Sequence, residues 1–276
     1  MQTAFIGGGH MASAIIGGLR NTGTPGGTIV VADPVAAQLE RLSRDFEVRT
    51  TGDNGAAAVS ADVIVLAVKP QDLPSVAVDI AGAMRAQGTP QRRLFISIAA
   101  GVRIIDLGRW LGTDASIVRA MPNRPALIGS GITALFAGPG VTSVDRAAAD
   151  RLLATCGATV WVDDEALMDT VTAVSGSGPA YFFLLIEALE AAGIEQGLAP
   201  DTARRLAIAT AEGAGRLAAM SSEAPAVLRT QVTSKGGTTA AALDVFEKGG
   251  LRAMVSRAVA AARKRSAELA AGAGRQ

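Results

Sequence analysis

Thr3-Ala4-Phe5-Ile6-Gly7-Gly8-Gly9-His10-Met11-Ala12 is the stretch that decides the fold. Thr3–Ile6 has the character of a strand. Three glycines follow, and from about Met11 to Asn21 the apolar residues recur at helical spacing. Gly7, Gly9 and Ala12 fit G-x-G-x-x-A at a strand-to-helix junction. In that position the first glycine permits the tight turn and the second lets backbone approach a pyrophosphate. The small third residue lets the helix pack on the sheet, with its N-terminus facing the phosphates. A plain glycine turn satisfies the letters alone. The placement is what favours a dinucleotide site.

Working outward, short β-branched runs alternate with helical stretches. Thr28–Ala32, Val63–Val68, Leu94–Ala99, Ile117–Ala120 and Thr133–Phe136 read as strands, and Val35–Asp45 as a helix. The continuous apolar run Val63–Val68 suits a strand buried on both faces. Alternating elements of this kind predict a doubly wound parallel sheet. After about Asp164 strand signals give way to helical ones: Ala180–Ala192, Asp201–Ala219 and Leu251–Ala271. The last carries Leu251, Met254, Val255, Ala258, Val259, Ala262 and Leu269 on one side. The expected architecture is α/β: an N-terminal Rossmann-type domain over 1–164 and an all-α C-terminal domain over 165–276. The small-residue helix faces suit packing between subunits or within one chain.

Composition narrows the function. The chain of 276 residues has 49% hydrophobic but only 4% aromatic residues, so aliphatic side chains must fill its cores. A net charge of +1 without a basic stripe argues against a nucleic-acid partner. Arg263-Lys264-Arg265 reads as a solvated helix face. One cysteine, Cys156, and one histidine, His10, supply neither a disulfide nor a Cys/His zinc site, so no metal is expected. Cys156 sits in an apolar context and reads as a buried thiol. No basic segment precedes an apolar one at the start, so no secretory leader is expected. The apolar runs fall far short of the roughly 20 residues that span a bilayer. Glu187 and Glu190 interrupt the longest apolar helix, which is read as a core helix. A cytoplasmic protein without a membrane partner is the expectation.

Several residues carry candidate chemistry. Asp33 ends the second strand, where an acidic side chain bonds the adenosine ribose in NAD sites. The same residue also suits a turn before Pro34, and Arg41 or Arg44 are alternatives for meeting a 2′-phosphate. NAD(H) and NADP(H) both stay open, with Asp33 leaning away from the latter. His10 lies inside the glycine loop and is placed beside the cofactor phosphates rather than in acid–base work. Lys69, in Ala67-Val68-Lys69-Pro70, follows a buried strand at the ligand-binding edge of the sheet, to serve the cofactor or cap the strand. Ser175-Gly176-Ser177-Gly178-Pro179-Ala180-Tyr181 reads as the opening of a helix, with amides and hydroxyls for an anion or amide. Ser234-Lys235-Gly236-Gly237-Thr238-Thr239 precedes another helix and suits a carboxylate. Either segment alone serves equally as a cap.

Together these segments resemble the pyrroline-5-carboxylate reductase family from Phe5 to Leu269. The likeness rests on Phe-Ile-Gly-Gly-Gly-His-Met-Ala from Phe5, Ala-Val-Lys-Pro from Ala67, Ser-Ile-Ala-Ala-Gly-Val from Ser97 and Arg-Ala-Met-Pro-Asn from Arg119. It also rests on Val-Ser-Gly-Ser-Gly-Pro-Ala-Tyr from Val174 and Gly-Gly-Thr-Thr from Gly236, the two most specific pieces. The resemblance implies NAD(P)H-dependent reduction of 1-pyrroline-5-carboxylate to L-proline. It also implies a helical C-terminal domain that interleaves with a partner in a homodimer, often assembled into a decamer. It carries cofactor binding to Ile6, Gly7, Gly8, Gly9, His10, Met11, Asn54, Ala67, Val68, Lys69 and Pro70. Substrate contacts fall on Ser177, Ser234, Gly237, Thr238 and Thr239, the Thr239 hydroxyl being the catalytic group at the ring nitrogen. His10, Arg124 and Lys235 depart from the usual family residues. Lys235 stands in place of a proline that would fix the turn.

Two rival readings are weighed. A β-hydroxyacid dehydrogenase has a similar plan but places a lysine early in the helix after Ser-Gly-x-Gly. Here Pro179-Ala-Tyr-Phe-Phe-Leu-Leu-Ile has none. A non-catalytic NAD(P)-sensing protein would keep the fold and lack turnover.

Overall fold

The computed structural model describes residues 1–87, 92–112 and 115–273. The expected C-terminal boundary at Gln276 lies outside them. The elements run β1 (Thr3–Ile6), α1 (His10–Asn21), β2 (Ile29–Ala32), α2 (Ala36–Phe46), β3 (Arg49–Thr51), α3 (Asn54–Val59), β4 (Val63–Leu66) and α4 (Leu73–Ala86). They continue as β5 (Leu94–Ser97), α5 (Ile104–Leu111), β6 (Ser116–Met121), β7 (Gly131–Ala137), α6 (Ser143–Leu153), β8 (Gly157–Trp161) and α7 (Leu167–Val171). A π-turn over Thr172–Gly176 leads into α8 (Gly178–Glu195). Then come α9 (Pro200–Met220), α10 (Pro225–Gln231), α11 (Thr238–Lys248) and α12 (Leu251–Ala273).

The strands form one sheet in the order β3-β2-β1-β4-β5-β6-β7-β8. Neighbours are parallel except β6 and β7. The strand order reverses beside β1, the doubly wound arrangement expected from the glycine stretch. Strand alternation builds two cores. Phe5 on β1 joins one face with Ile16, Val31, Leu42, Val65 and Leu152. Ala4 and Ile6 join the other with Ile64, Leu66, Leu73, Ile80 and Leu107. Both faces of β1 and β4 are thus covered, which is why these strands read as unbroken apolar runs. Each large aliphatic side chain so buried contributes about 1.5–3 kcal/mol.

The chain divides into two compact units, Met1–Gly176 with Ala262–Gln276, and Ser177–Ala261. The expected boundary at 164/165 falls just before α7, within the first unit. In the first unit the end of α12 is held by Ser266, whose Oγ donates to Asp169 Oδ1 at 2.7 Å with both residues buried.

The second unit has almost no core of its own. Gly178, Ala203 and Ala207 are the residues buried in it. Ala203 and Ala207 lie on α9, and α8 packs close to it where a side chain at Gly193 would meet Leu198 and Ala203. The reading of the 180–192 stretch as a core helix is corrected here. Phe182, Phe183 and Leu184 on α8 are 65%, 61% and 65% exposed. Leu251, Met254, Val255 and Leu269, on the stripe expected to pack, are exposed as well. An apolar helix of this kind is buried only when something else covers it. Leu167–Glu195 is one helical stretch, long and apolar enough by length and composition to cross a membrane. Helical continuity through Ser175–Pro179 joins two segments that the glycines and proline had split in the sequence.

Candidate active site

The sheet register gathers the cofactor segments along one edge. Ala32, Ile6, Leu66, Ser97 and Arg119 are paired in a row across β2, β1, β4, β5 and β6. Thr51 of β3 pairs with Ala32 and extends the row. This is the C-terminal edge of the parallel strands, where ligands bind in such sheets. Immediately beyond it come Gly7–Met11 after Ile6, Asp33 after Ala32, Ala67–Pro70 after Leu66, and Asn54 three residues past Thr51.

Each glycine of the loop answers to a different demand. Gly7 has φ +97°, and a Cβ there would lie 2.7 Å from the Ala67 carbonyl oxygen. Its N–H donates to Ala32 O at 2.7 Å, while Ala67 N donates to Ile6 O at 2.8 Å, tying the loop to both neighbouring strands. Gly9 is the N-cap of α1, has no side-chain cap, and a Cβ on it would meet nothing within 4 Å. The first amides of α1 thus have no side-chain cap, and the missing Cβ at Gly9 leaves room for close approach, a cradle that suits a pyrophosphate. Ala12 is buried against the sheet, as the third small position requires. Gly8, a free position in the sequence pattern, is sterically tight: a Cβ would sit 2.7 Å from Leu42 Cδ1. Its N–H donates to Asp33 Oδ2 at 2.8 Å, and Gln38 donates to its carbonyl. The spacing of the motif did not reveal this second role for Gly8.

The remaining cofactor candidates fall as follows. His10 is exposed at the first position of α1, and Met11 is half-buried behind it. Asp33 accepts a second bond from Val35 N at 2.9 Å, so its carboxylate does serve the turn before α2. Asn54 opens α3 behind its N-cap Asp53, which accepts from Ala56 N. Ala67 and Val68 pack against opposite cores, Lys69 is exposed, and Pro70 is half-buried.

Arg119 has a role that its place in the Arg-Ala-Met-Pro-Asn string does not announce. It is 4% exposed and ion-paired to Glu165 at 3.0 Å. Glu165 Oε1 also accepts from Ile104 N at 2.9 Å. An arginine inside the apolar run Ile117–Met121 was the available signal. Asn123 is likewise buried and bridges Ile132 N and Ser175 O. Cys156 is buried as expected, its Sγ donating to Ala14 O at 3.3 Å, and burial pushes the thiol pKa up.

The substrate candidates lie in the second unit and at its start. Gly236 takes φ +72° and Gly237 N donates to Ser234 O at 3.1 Å, a tight turn that delivers the chain into α11. Gly237 is an extended N-cap without a side-chain cap, and the next N–H bonded back to it is that of Ala241. The amides of Thr238, Thr239 and Ala240 thus head the helix. Thr238 is exposed, Thr239 half-buried, and Lys235 exposed in the turn. A Cβ on Gly237 would lie 2.3 Å from Ser234 Oγ. The Ser175–Tyr181 segment differs from expectation. α8 does begin here, with Ser177 as its N-cap and Pro179 in its first turn, but the residues just before it are helical too, in the π-turn over Thr172–Gly176. Ser175 Oγ donates back to Val171 O at 3.0 Å. Gly176 is needed because a side chain there would meet Met121 Cε at 2.6 Å. Ser177 is half-buried on the helical path.

The sheet, the register of its edge and the glycine cradle define a Rossmann-type dinucleotide-binding protein. A family model described as pyrroline-5-carboxylate reductase dimerisation matches residues 165–269. One described as NADP oxidoreductase, coenzyme F420-dependent, matches residues 2–101. A pyrroline-5-carboxylate reductase of Pseudomonas aeruginosa is 45% identical over 269 residues, covering 98% of this chain and 97% of that protein. The structure of one from Coxiella burnetii superposes with TM-score 0.93 at 38% identity, covering 97% of this chain and 98% of that one. The Plasmodium falciparum pyrroline carboxylate reductase, a structure with NADP bound, has TM-score 0.83 at 30% identity and covers 98% of both chains. The chain belongs to the pyrroline-5-carboxylate reductase family.

Proposed function

We propose that this protein reduces 1-pyrroline-5-carboxylate to L-proline with NAD(P)H, the last step of proline synthesis. Full-length similarity to proteins of that name supports the activity. The single structural observation that carries it is the uncapped start of α11, where two threonines follow a Gly-Gly turn.

The glycine cradle fits the cofactor, with Ile6–Met11, Asp33, Asn54 and Ala67–Pro70 as the residues to hold it. When bound, the nicotinamide supplies the hydride that adds to the C=N carbon of the ring. The chain's own work is chiefly alignment. The resemblance puts the substrate carboxylate on the Gly237 and Thr238 amides; because Gly237 N donates to Ser234 O at 3.1 Å, the carboxylate falls instead to the amides of Thr238 and Thr239, helped by the positive end of α11. Ser177 and Ser234 line the same subsite, and Lys235 adds a positive charge to the turn. The Thr239 hydroxyl hydrogen-bonds the ring nitrogen and keeps its proton in place as the C=N bond becomes C–N. No second histidine or carboxylate pair is needed, because the imine nitrogen arrives protonated. Residues 1–164 serve the cofactor; residues 165–276 serve substrate and dimerisation.

The exposed apolar residues of α8 and α12 support a homodimer in which a second copy covers them; assembly of such dimers into a decamer is what the family resemblance implies. A stretch that pairs with its own copy also accounts for the apolar Leu167–Glu195 helix in a cytoplasmic protein. Thr239→Ala tests the assigned chemistry. Turnover should fall on the order of 100-fold, within the range for losing a positioned proton-handling group. Cofactor affinity, measured by titration, should be unchanged. Unchanged turnover would remove Thr239 from the mechanism.

A further inference from the structure

We infer that the chain favours NADH over NADPH, and that the fixed carboxylate of Asp33 sets the preference. The inference rests on reading residues 1–164 as the cofactor domain and deepens that reading.

Asp33 follows β2, one strand over from the glycine loop, where the adenosine ribose of a dinucleotide lies in this fold. Its carboxylate is pinned: Oδ2 accepts from Gly8 N at 2.8 Å and Oδ1 from Val35 N at 2.9 Å. Its backbone N–H is held by Thr51 O at 3.3 Å. Swinging the side chain aside would strip the part-buried Gly8 N–H of its acceptor while leaving the exposed Val35 N–H to water, and the loss at Gly8 disfavours a rearrangement that admits an anion. Each carboxylate oxygen retains a further lone pair, enough to accept from ribose hydroxyls. A 2′-phosphate replaces a donating hydroxyl with negative charge, set against a carboxylate held in place by Gly8 N.

A compensating cation is what an NADP site needs, and the segments directly after β2 and β3 offer none. No lysine or arginine occurs from Asp33 to Glu40 or from Thr50 to Val68. Asp53, N-cap of α3, adds a second negative charge to that side. The nearest cations are committed elsewhere. Arg41 donates to Ser13 Oγ at 2.8 Å and lies 3.8 Å from Asp45. Arg44 pairs with Asp45 at 2.9 Å. Arg49 reaches Gln2 Oε1 at 3.1 Å, ahead of the N-terminal end of β1. Lys69 follows β4, on the far side of β1 from Asp33.

The test is calorimetric titration of the wild-type protein, and of Asp33→Asn, Asp33→Ser and Arg41→Ala, with NADH and with NADPH. Circular dichroism confirms that each variant is folded. Wild type should bind NADH on the order of tenfold more tightly. Both Asp33 variants should narrow that ratio by gaining NADPH affinity, and Arg41→Ala should leave it as it was. Equal or tighter NADPH binding by wild type would overturn the inference. So would a folded Asp33→Asn with the wild-type ratio, or a selective loss of NADPH by Arg41→Ala. Failure of the functional reading looks different: neither cofactor would be oxidised on adding 1-pyrroline-5-carboxylate, whatever the titrations gave.

Discussion

Gly7 shows how a single residue joins fold to site. Its positive φ costs an L-residue about 1–2 kcal/mol, and its missing Cβ leaves room for the Ala67 carbonyl. Gly7→Ala should therefore lower the thermal midpoint and weaken cofactor binding together, since relief of the contact must move the loop or the strand end. A variant with wild-type melting and wild-type cofactor titration would show that the loop tolerates a side chain there. The demand at Gly7 was legible in the sequence because a glycine directly after a strand and before a helix marks a turn that other residues fit poorly. That at Gly8 was not. It depends on Leu42 and Asp33 arriving from the neighbouring β-α unit, which no local pattern encodes.

Among the elements, the buried strands were legible and the marginal ones were not. Val63–Leu66 and Leu94–Ser97 are apolar almost throughout because both faces of the sheet are covered. Arg49–Thr51 is short, polar and at the sheet edge, so its pairing with β2 leaves little trace in composition. Gly157–Trp161 pairs in parallel with β7 and alternates half-buried with exposed residues, but the exposed Ala158 and Val160 are apolar, so the letters do not show the alternation. The π-turn was hidden for a different reason: Ser-Gly-Ser-Gly-Pro has the letters of a helix start, and α8 does start there, but they do not show the helical turn just before it, where a side chain at Gly176 would meet Met121. Long-range polar ties are the least legible. Arg119 and Glu165 are 46 residues apart and link β6 to the segment before α7. Glu165→Ala would leave the Arg119 guanidinium buried and unpaired, which should cost about 3–5 kcal/mol of unfolding free energy in urea titrations. A loss under about 1 kcal/mol would mean that water or another acceptor replaces the carboxylate.

At the scale of the whole molecule, the contrast between the two units matters most. The sheet unit encloses two cores, whereas Ser177–Ala261 buries three small residues and leaves Phe182, Phe183 and Leu184 in solvent. Such a surface marks an interaction site. Light scattering coupled to gel filtration should find no monomer at micromolar concentration, and Phe182→Glu with Leu184→Glu should release one or cause aggregation. A stable wild-type monomer would contradict the proposed assembly. The proposed reaction is tested most directly on the purified wild-type protein, by following absorbance of NADH, and separately of NADPH, on addition of 1-pyrroline-5-carboxylate. The expected result is enzyme-dependent oxidation of the cofactor with matching formation of L-proline. No oxidation of either cofactor by folded protein, with no proline formed, would contradict it.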